Sequence, residues 1–176
     1  MPQHDQNHAA VRRADRPGDL GWVLMAHGDV YCGQLGWDPD FEALVARIVA
    51  DYAAKHDPLR EAAWIAEADG RRVGCVLLVA GDGPKTAQLR VLLVTPDGRG
   101  LGLGTRLVAE CLTFARAAGY ERVTLWTNDV LVSARRIYRA AGFELVDEEP
   151  HQSFGQDLVG QNWTLELGAG PAGGTA

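Results

Sequence analysis

Arg99-Gly100-Leu101-Gly102-Leu103-Gly104 is the stretch of this chain whose residue types and spacing point most directly to chemistry. Glycines two apart let the backbone curl with its N–H groups facing one side, and a helix starting behind them adds a partial positive charge. Such a turn can cradle a phosphate through main-chain amides. The elements that must position it are present. Val91-Leu92-Leu93-Val94 reads as a buried strand and Pro96 ends it. An amphipathic helix begins after Gly104, with Leu107, Val108, Cys111, Leu112 and Ala115 turned inward and Gly119 closing it. A plain glycine turn between strand and helix is the other reading of glycines alone; strand, arginine, spacing and helix together favour the cradle.

Two other glycine loops are excluded. A P-loop ends in Gly-Lys-Ser/Thr, whereas Gly104 is followed by Thr105 and Arg106. A dinucleotide fingerprint reads G-x-G-x-x-G in repeated βαβ units, and here neither the spacing nor a second unit is present. What remains is R-x-x-G-x-G after the strand end Val94-Thr95-Pro96. This resembles the coenzyme A pyrophosphate loop of the GNAT (Gcn5-related) N-acetyltransferase superfamily. The resemblance implies acetyl-CoA as co-substrate, no metal, and direct transfer of acetyl to a primary amine of a small molecule or peptide in a ternary complex. It places the pyrophosphate against the amides of Arg99, Gly100, Leu101, Gly102, Leu103, Gly104 and Thr105. The pantetheine arm falls along the backbone of Leu92, Leu93 and Val94, with the Val94 N–H as donor to the acetyl oxygen.

A second match is Tyr138-Arg139-Ala140-Ala141-Gly142-Phe143, which resembles the family's Y-x-x-x-G-F segment. There the tyrosine hydroxyl lies near the coenzyme sulfur and is often the general acid. A phenol with a pKa near 10 is protonated at pH 7 and suits a departing thiolate. Packing of a half-buried helix tyrosine is the alternative for Tyr138. Two departures from the family pattern stand out. Leu131 occupies the position, seven residues before the tyrosine, where many relatives have a pantetheine-binding Asn. Asn128, three residues earlier, has three readings, a coenzyme ligand, a substrate contact or a helix cap. Trp126 occupies the position where relatives that use a glutamate base carry it, so no general base is identifiable.

Candidates for the acceptor wall are His27, Tyr31, Trp37, Trp126 and His151, each with a structural alternative: Trp37 a staple with Phe41, His151 a solvated histidine in the loop 149–154. The segments H-G-x-x-Y, G-W-D-x-x-F-E-A-L-V-A, L-W-T-N-D-V-L and S-F-G-Q-D-L-V-G-Q-x-W resemble the acetyltransferase half of bacterial proteins that fuse it to a MarR-type winged helix. That resemblance covers residues 16–167; the DNA-binding half is not expected here, and the superfamily admits a homodimer. A non-catalytic acyl-CoA-binding regulatory module is the alternative function, motivated by the missing base and Asn. A glycine-turn protein that binds no coenzyme is a third.

Composition agrees with one globular domain. The chain has 176 residues, 47% hydrophobic and 23% charged, with a net charge of −6. An acidic balance argues against nucleic acid as main partner. Cys32, Cys75 and Cys111 are odd in number and widely spaced, which reads as reduced thiols of a cytoplasmic protein rather than a metal site or disulfide framework. No apolar run approaches the ~20 residues that span a bilayer, so no membrane partner is expected.

The polar residues 1–9 and the Gly/Ala/Pro-rich residues 168–176 read as disordered ends around a domain over 10–167. Within it, Val11 to Ala14 reads as a strand. Asp19 is a candidate cap for a helix over 20–27 that Gly28 would stop, and Asp38-Pro39 starts a second helix. Residues 62–94 read as a three-strand meander with a tight turn at Asp69-Gly70. A strand over 123–126 follows the glycine-loop helix by a right-handed crossover. Asn128 or Asp129 would cap a helix ending at Gly142, and strands over 143–146 and 163–167 complete the chain. The order βααβββαβαββ is that of the GNAT fold, an α/β (α+β) architecture with a mixed, mostly antiparallel sheet of about six to seven strands flanked by about four helices.

Overall fold

Alternation along the strands gives a sheet two apolar faces, and amphipathic helices supply the layers that cover them. The computed structural model describes residues 8–168. In chain order these form β1 (Ala9–Arg13), α1 (Asp19–His27), α2 (Pro39–Lys55), β2 (Ala62–Ala68), β3 (Arg71–Ala80), β4 (Thr86–Val94), α3 (Leu103–Ala117), β5 (Arg122–Asn128), α4 (Val132–Ala141), β6 (Glu144–Ser153) and β7 (Gln156–Glu166). The strands make one seven-stranded sheet in the order β1-β2-β3-β4-β5-β7-β6. Every neighbouring pair is antiparallel except β4 and β5. The α/β order and the mostly antiparallel sheet expected from sequence are therefore present.

Helices α3 and α4 cover one face, around Trp64, Leu78, Leu107, Cys111 and Tyr138. Helices α1 and α2 cover the other, around Val23, Phe41, Val45, Ile65 and Leu93. Trp64 and Ile65, adjacent on β2, go to opposite layers as a pleated strand requires. In α2 the carboxylate of Asp38 accepts from the Asp40 N–H at 3.0 Å and Pro39 holds the first helical position. Phe41, Val45, Val49 and Tyr52 then fall on one buried stripe. The β2–β3 turn is the expected tight one, with Asp69 at φ 50° and Gly70 at φ 75°, the two left-handed residues of a type I′ hairpin.

Several local expectations are corrected. β1 starts at Ala9, before the expected Val11; the expectations for 1–7 and 169–176 lie outside the described residues. Gly18, at φ 85°, caps α1, and Asp19 turns inward to Arg12 and Arg72 instead. Gly28 does not stop the chain, which continues through a wide π-helical turn over Gly28–Gln34. Its lack of a side chain serves packing, since a Cβ there would lie 2.7 Å from the Glu42 carboxylate.

Neither Asn128 nor Asp129 caps α4, whose capping position is Leu131 with no side-chain bond. The Asn128 side chain bonds to His151, and the Asp129 carboxylate accepts from the Val159 N–H. The supposed loop 149–154 is mostly strand. β6 runs to Ser153, Phe154 (φ 56°) and Gly155 (φ 73°) make a second two-residue turn, and β7 begins at Gln156. β6 is the sheet's edge and largely exposed, so it carries charges where an interior strand would alternate, and its period was invisible.

Candidate active site

β4 and β5 lie side by side only where Thr86–Gln88 meets Arg122–Thr124. Beyond Gln88 they part: β4 stays with β3 as far as Val94 opposite Gly74, and β5 stays with β7 as far as Asn128 opposite Gly160. A bulge accompanies the parting. Cys75 faces Leu93 and Leu77 faces Arg90, so Val91 and Leu92 together oppose Val76. Val91 sits at φ 50°, a conformation that costs a β-branched residue on the order of 1–3 kcal/mol. The Thr95 N–H donates to the Val73 carbonyl at 2.8 Å. Bonding sides alternate along an antiparallel ladder, so the Val94 N–H points the other way, into the gap.

A cleft of about 490 Å³ occupies this gap. Leu92, Leu93 and Val94 form one wall, and the start of α4, from Val132 to Ala134, forms the other. Arg99, Gly100, Gly102, Leu103, Gly104 and Thr105 line its end. Of the loop residues expected there, Leu101 does not line it; its side chain packs on the core beneath α3. Gly100 (φ 80°) and Gly102 (φ 69°) are left-handed, and a Cβ on either would meet nothing within 4 Å, so the loop's surface is open. Gly98 is needed for close approach, since its Cβ would lie 2.8 Å from Val73. Gly102 caps α3 without any side-chain bond. The first N–H groups of that helix thus have no internal partner and carry the positive end of its dipole to the cleft. An open amide cradle at a helix N-terminus fits a diphosphate.

A smaller cavity of about 120 Å³ adjoins the cleft, and Tyr31, Leu92, Leu131 and Ala134 line both. Tyr31, Trp37, Phe41 and Phe154 form a ring cluster along it, with centroids 4.5 to 5.2 Å apart in the contacting pairs. His27, Trp126, Asn128 and Tyr138 also line this cavity. Of the expected acceptor residues, His27, Tyr31, Trp37 and Trp126 are therefore brought together, and His151 is not among the lining residues. The His151 ring instead bonds to the Asn128 carbonyl oxygen through Nε2 at 2.8 Å and to the Ser153 hydroxyl through Nδ1 at 2.9 Å. His151 thereby orients Asn128, for which the sequence offered a coenzyme role, a substrate role or helix capping, and which lines the smaller cavity rather than the cleft. Gln88 and Arg90 were missed. The signal for Arg90 was available, a lone cation inside the apolar run from Leu89 to Val94.

Burial sets the protonation states. Tyr138 is 5% exposed, and burial pushes its hydroxyl well above the usual phenol range, with the neighbouring Tyr31 adding to the rise. Burial likewise pushes Tyr31 up to about 12. His27 is 1% exposed and its Nδ1 donates to the Val23 carbonyl at 2.7 Å. Nε2 is then a bare acceptor, without a partner among the described residues. Burial lowers the His27 pKa to about 4, against a smaller upward pull from the Val23 bond, so the ring is neutral at pH 7.

The model of the acetyltransferase (GNAT) family matches residues 35–143. The chain belongs to the GNAT acetyltransferase family. An uncharacterized N-acetyltransferase of Schizosaccharomyces pombe is 30% identical over 146 residues, 82% of this chain and 88% of that one. Human N-acetyltransferase 8B is 38% identical over 85 residues, and there the match spans 37% of the relative's length. YncA of Salmonella typhimurium, solved with its cofactor acetyl-CoA, superposes with a TM-score of 0.71 over 96% of this chain and 99% of its own, at 19% identity. That likeness shows the GNAT fold. No helix among the described residues of this GNAT acetyltransferase is long and apolar enough to cross a membrane.

Proposed function

We propose that this GNAT acetyltransferase moves acetyl from acetyl-CoA to the primary amine of a small molecule or short peptide, directly in a ternary complex. The observation that carries the reading is the meeting of cleft and cavity at Tyr31, Leu92, Leu131 and Ala134, beside a strand whose Val94 N–H faces the gap. When bound, acetyl-CoA supplies an acetyl thioester, activated for attack by an amine. The open amides from Gly100 to Thr105 and the uncapped start of α3 hold the pyrophosphate, and Arg99 adds a positive charge at the cleft. Backbone groups of Leu92 to Val94, freed by the departure of β5, take the amide groups of the pantetheine arm. The Val94 N–H donates to the acetyl oxygen as negative charge develops there.

Tyr138 holds the proton that the departing sulfur needs. Burial raises the pKa of this phenol, and it would raise that of a thiol beside it too. Proton transfer then depends on the difference between the two, which unperturbed values of about 10 and 8.5 keep small. The cavity supplies no strong base: among the described residues no Asp or Glu lines it, and His27 at about 4 is too weak to deprotonate an ammonium. The amine is accordingly taken in its neutral form. kcat/KM should rise about tenfold per pH unit until the acceptor's own pKa is reached.

Thiol release measured over amines, amino acids and short peptides tests the reading. Release that requires both acetyl-CoA and an acceptor supports it. Tight acetyl-CoA binding with no release from any member of the panel contradicts transfer to small amines and favours a coenzyme-responsive module.

A further inference from the structure

Arg90 lies on β4 on the face opposite Ala87 and Leu89, both of which are buried under α3. That face looks toward α2, whose Leu44, Val45 and Ile48 line the smaller cavity together with Arg90. Arg12 and Arg72 of the sheet pair with Asp19 and Arg122 with Glu166, while Arg13 lies over the Trp64 and Phe114 rings. Arg90 is partly buried and has neither an ion pair nor a hydrogen bond among the described residues. Asp51 of α2, whose charge it feels, is solvent-exposed and already 3.6 Å from Lys55. Loss of water lowers the Arg90 pKa, the mark of a desolvated charge. Among the described residues no carboxylate lines the cavity to offset it, and the rest of the wall they form is aromatic, aliphatic or neutral polar.

We infer that the acceptor is an amino carboxylate with a compact apolar side chain, its carboxylate held by the Arg90 guanidinium and its side chain by the Tyr31, Trp37, Phe41 and Phe154 rings. This rests on the acetyl-transfer reading above and names the substrate class for the same site. A guanidinium presents two parallel N–H donors that match a carboxylate. The same unneutralised cation in a cavity without acidic groups disfavours polyamines, aminoglycosides and lysines of basic peptides, which bring further positive charge. The volume of about 120 Å³, which must also admit the carboxylate, is below the ~150 Å³ of the apolar cavity that takes up benzene, so the side chain is of leucine to phenylalanine size at most. In the transfer the carbon–sulfur bond breaks as the carbon–nitrogen bond forms. The thiolate takes one proton from Tyr138, the one that the amine gives up passes through solvent to restore the phenol, and an acceptor arriving as ammonium first sheds one to solvent.

The test compares L-leucine, L-methionine and L-phenylalanine with their decarboxylated amines and primary amides, using acetyl-CoA and thiol release on the wild-type protein, Arg90→Gln and Arg90→Lys. Thermal unfolding of each variant reports its fold. The wild type should prefer at least one amino carboxylate to its decarboxylated amine by tenfold or more in kcat/KM. Arg90→Gln should reduce that preference at least tenfold, mainly through KM, and Arg90→Lys should retain part of it. Equal use of amine and amino carboxylate, a preference that survives Arg90→Gln, or release with amines alone would each overturn the inference while leaving acetyl transfer intact. Absence of acetyl-CoA binding would overturn the acetyl-transfer reading instead. Calorimetric titration of the protein alone with the same amino acids would then decide the Arg90 site: loss of binding in Arg90→Gln supports it, and no binding to the wild type overturns it.

Discussion

Tyr138 and His27 line the same cavity and are both held neutral by burial, but with opposite consequences. Loss of water keeps the proton on the phenol and keeps it off the imidazole, so one can act as a donor and the other cannot act as an effective base. Tyr138→Phe should lower kcat by 10²–10⁴-fold, the range for removal of a general acid, while acetyl-CoA affinity measured by calorimetry changes by less than about threefold. Equal kcat values would remove Tyr138 from the chemistry. His27 also shapes stability. Its folded pKa of about 4 lies below the unfolded value near 6.5, so the unfolded chain gains the proton first as pH falls. The His27 contribution is complete above pH 6.5 and is lost on acidification toward pH 4, about 2 kcal/mol of it by pH 5. Urea unfolding at pH 7 and pH 5 should show the loss, and His27→Gln should flatten it. Tyr138 was legible in sequence through its Y-x-x-x-G-F context. The His27 bond to Val23 forms within α1, whereas its stacking on Tyr31, at 5.7 Å between centroids, brings in the π-helical turn that follows.

Among the elements, β4 decides the site. Its pairing with β5 lasts three residues, and beyond them its edge away from β3 has no neighbouring strand among the described residues. The apolar run, Pro96 and the glycines announced the strand, its end and the loop behind it. The bulge at Val91 gave no sequence signal, because a valine at φ 50° looks like any other strand valine. Gly98 couples the loop to β3. Gly98→Ala would push a Cβ to 2.8 Å from Val73 Cβ and 3.0 Å from its carbonyl oxygen, and neither atom can swing aside. It should cost about 1–3 kcal/mol in urea unfolding and should weaken acetyl-CoA binding by displacing the cradle. Stability unchanged within a few tenths of a kcal/mol would mean that the loop does not lean on β3 in this way. The last hairpin shows the other limit of sequence reading. β6 is an exposed edge strand without apolar alternation, and Phe154-Gly155 is an uncommon pair for a tight turn.

At the scale of the whole molecule, the two helical layers meet the sheet independently and are joined at the β4–β5 gap, which opens the cavity on the α1–α2 side to the cleft beside α3 and α4. Asp19 ties the first layer in place. Its carboxylate is 1% exposed and bonds to Arg12 at 2.8 Å, Arg72 at 2.8 Å and the Arg16 N–H at 2.9 Å. Burial alone would raise its pKa, but these bonds outweigh it and hold the carboxyl well below the usual range. The stabilisation is complete above the unfolded value of about 3.9 and is lost as pH falls further. Asp19→Asn leaves Arg72 without its carboxylate and Arg12 with Glu67 alone, and should cost about 1–3 kcal/mol, measured by urea unfolding at pH 7. A loss under 1 kcal/mol would show that the network is dispensable. The chain order βααβββαβαββ was legible because the apolar period switches cleanly from helix to strand at nearly every boundary. The cavity was only partly legible, since Gln88, Arg90, Leu131 and Phe154 come from distant positions and meet only in the folded protein.

The central claim is that the loop from Arg99 to Thr105 and the gap between β4 and β5 form an acetyl-CoA site. Calorimetric titration with acetyl-CoA, on the wild type and on Gly102→Asp, tests it most directly. Aspartate is among the residues that tolerate a left-handed φ, so the variant should fold while setting a negative charge beside the pyrophosphate cradle. The wild type should show saturable one-site binding, and Gly102→Asp an affinity at least tenfold weaker. Absence of binding by the wild type, or equal affinity in the folded variant, would contradict the claim.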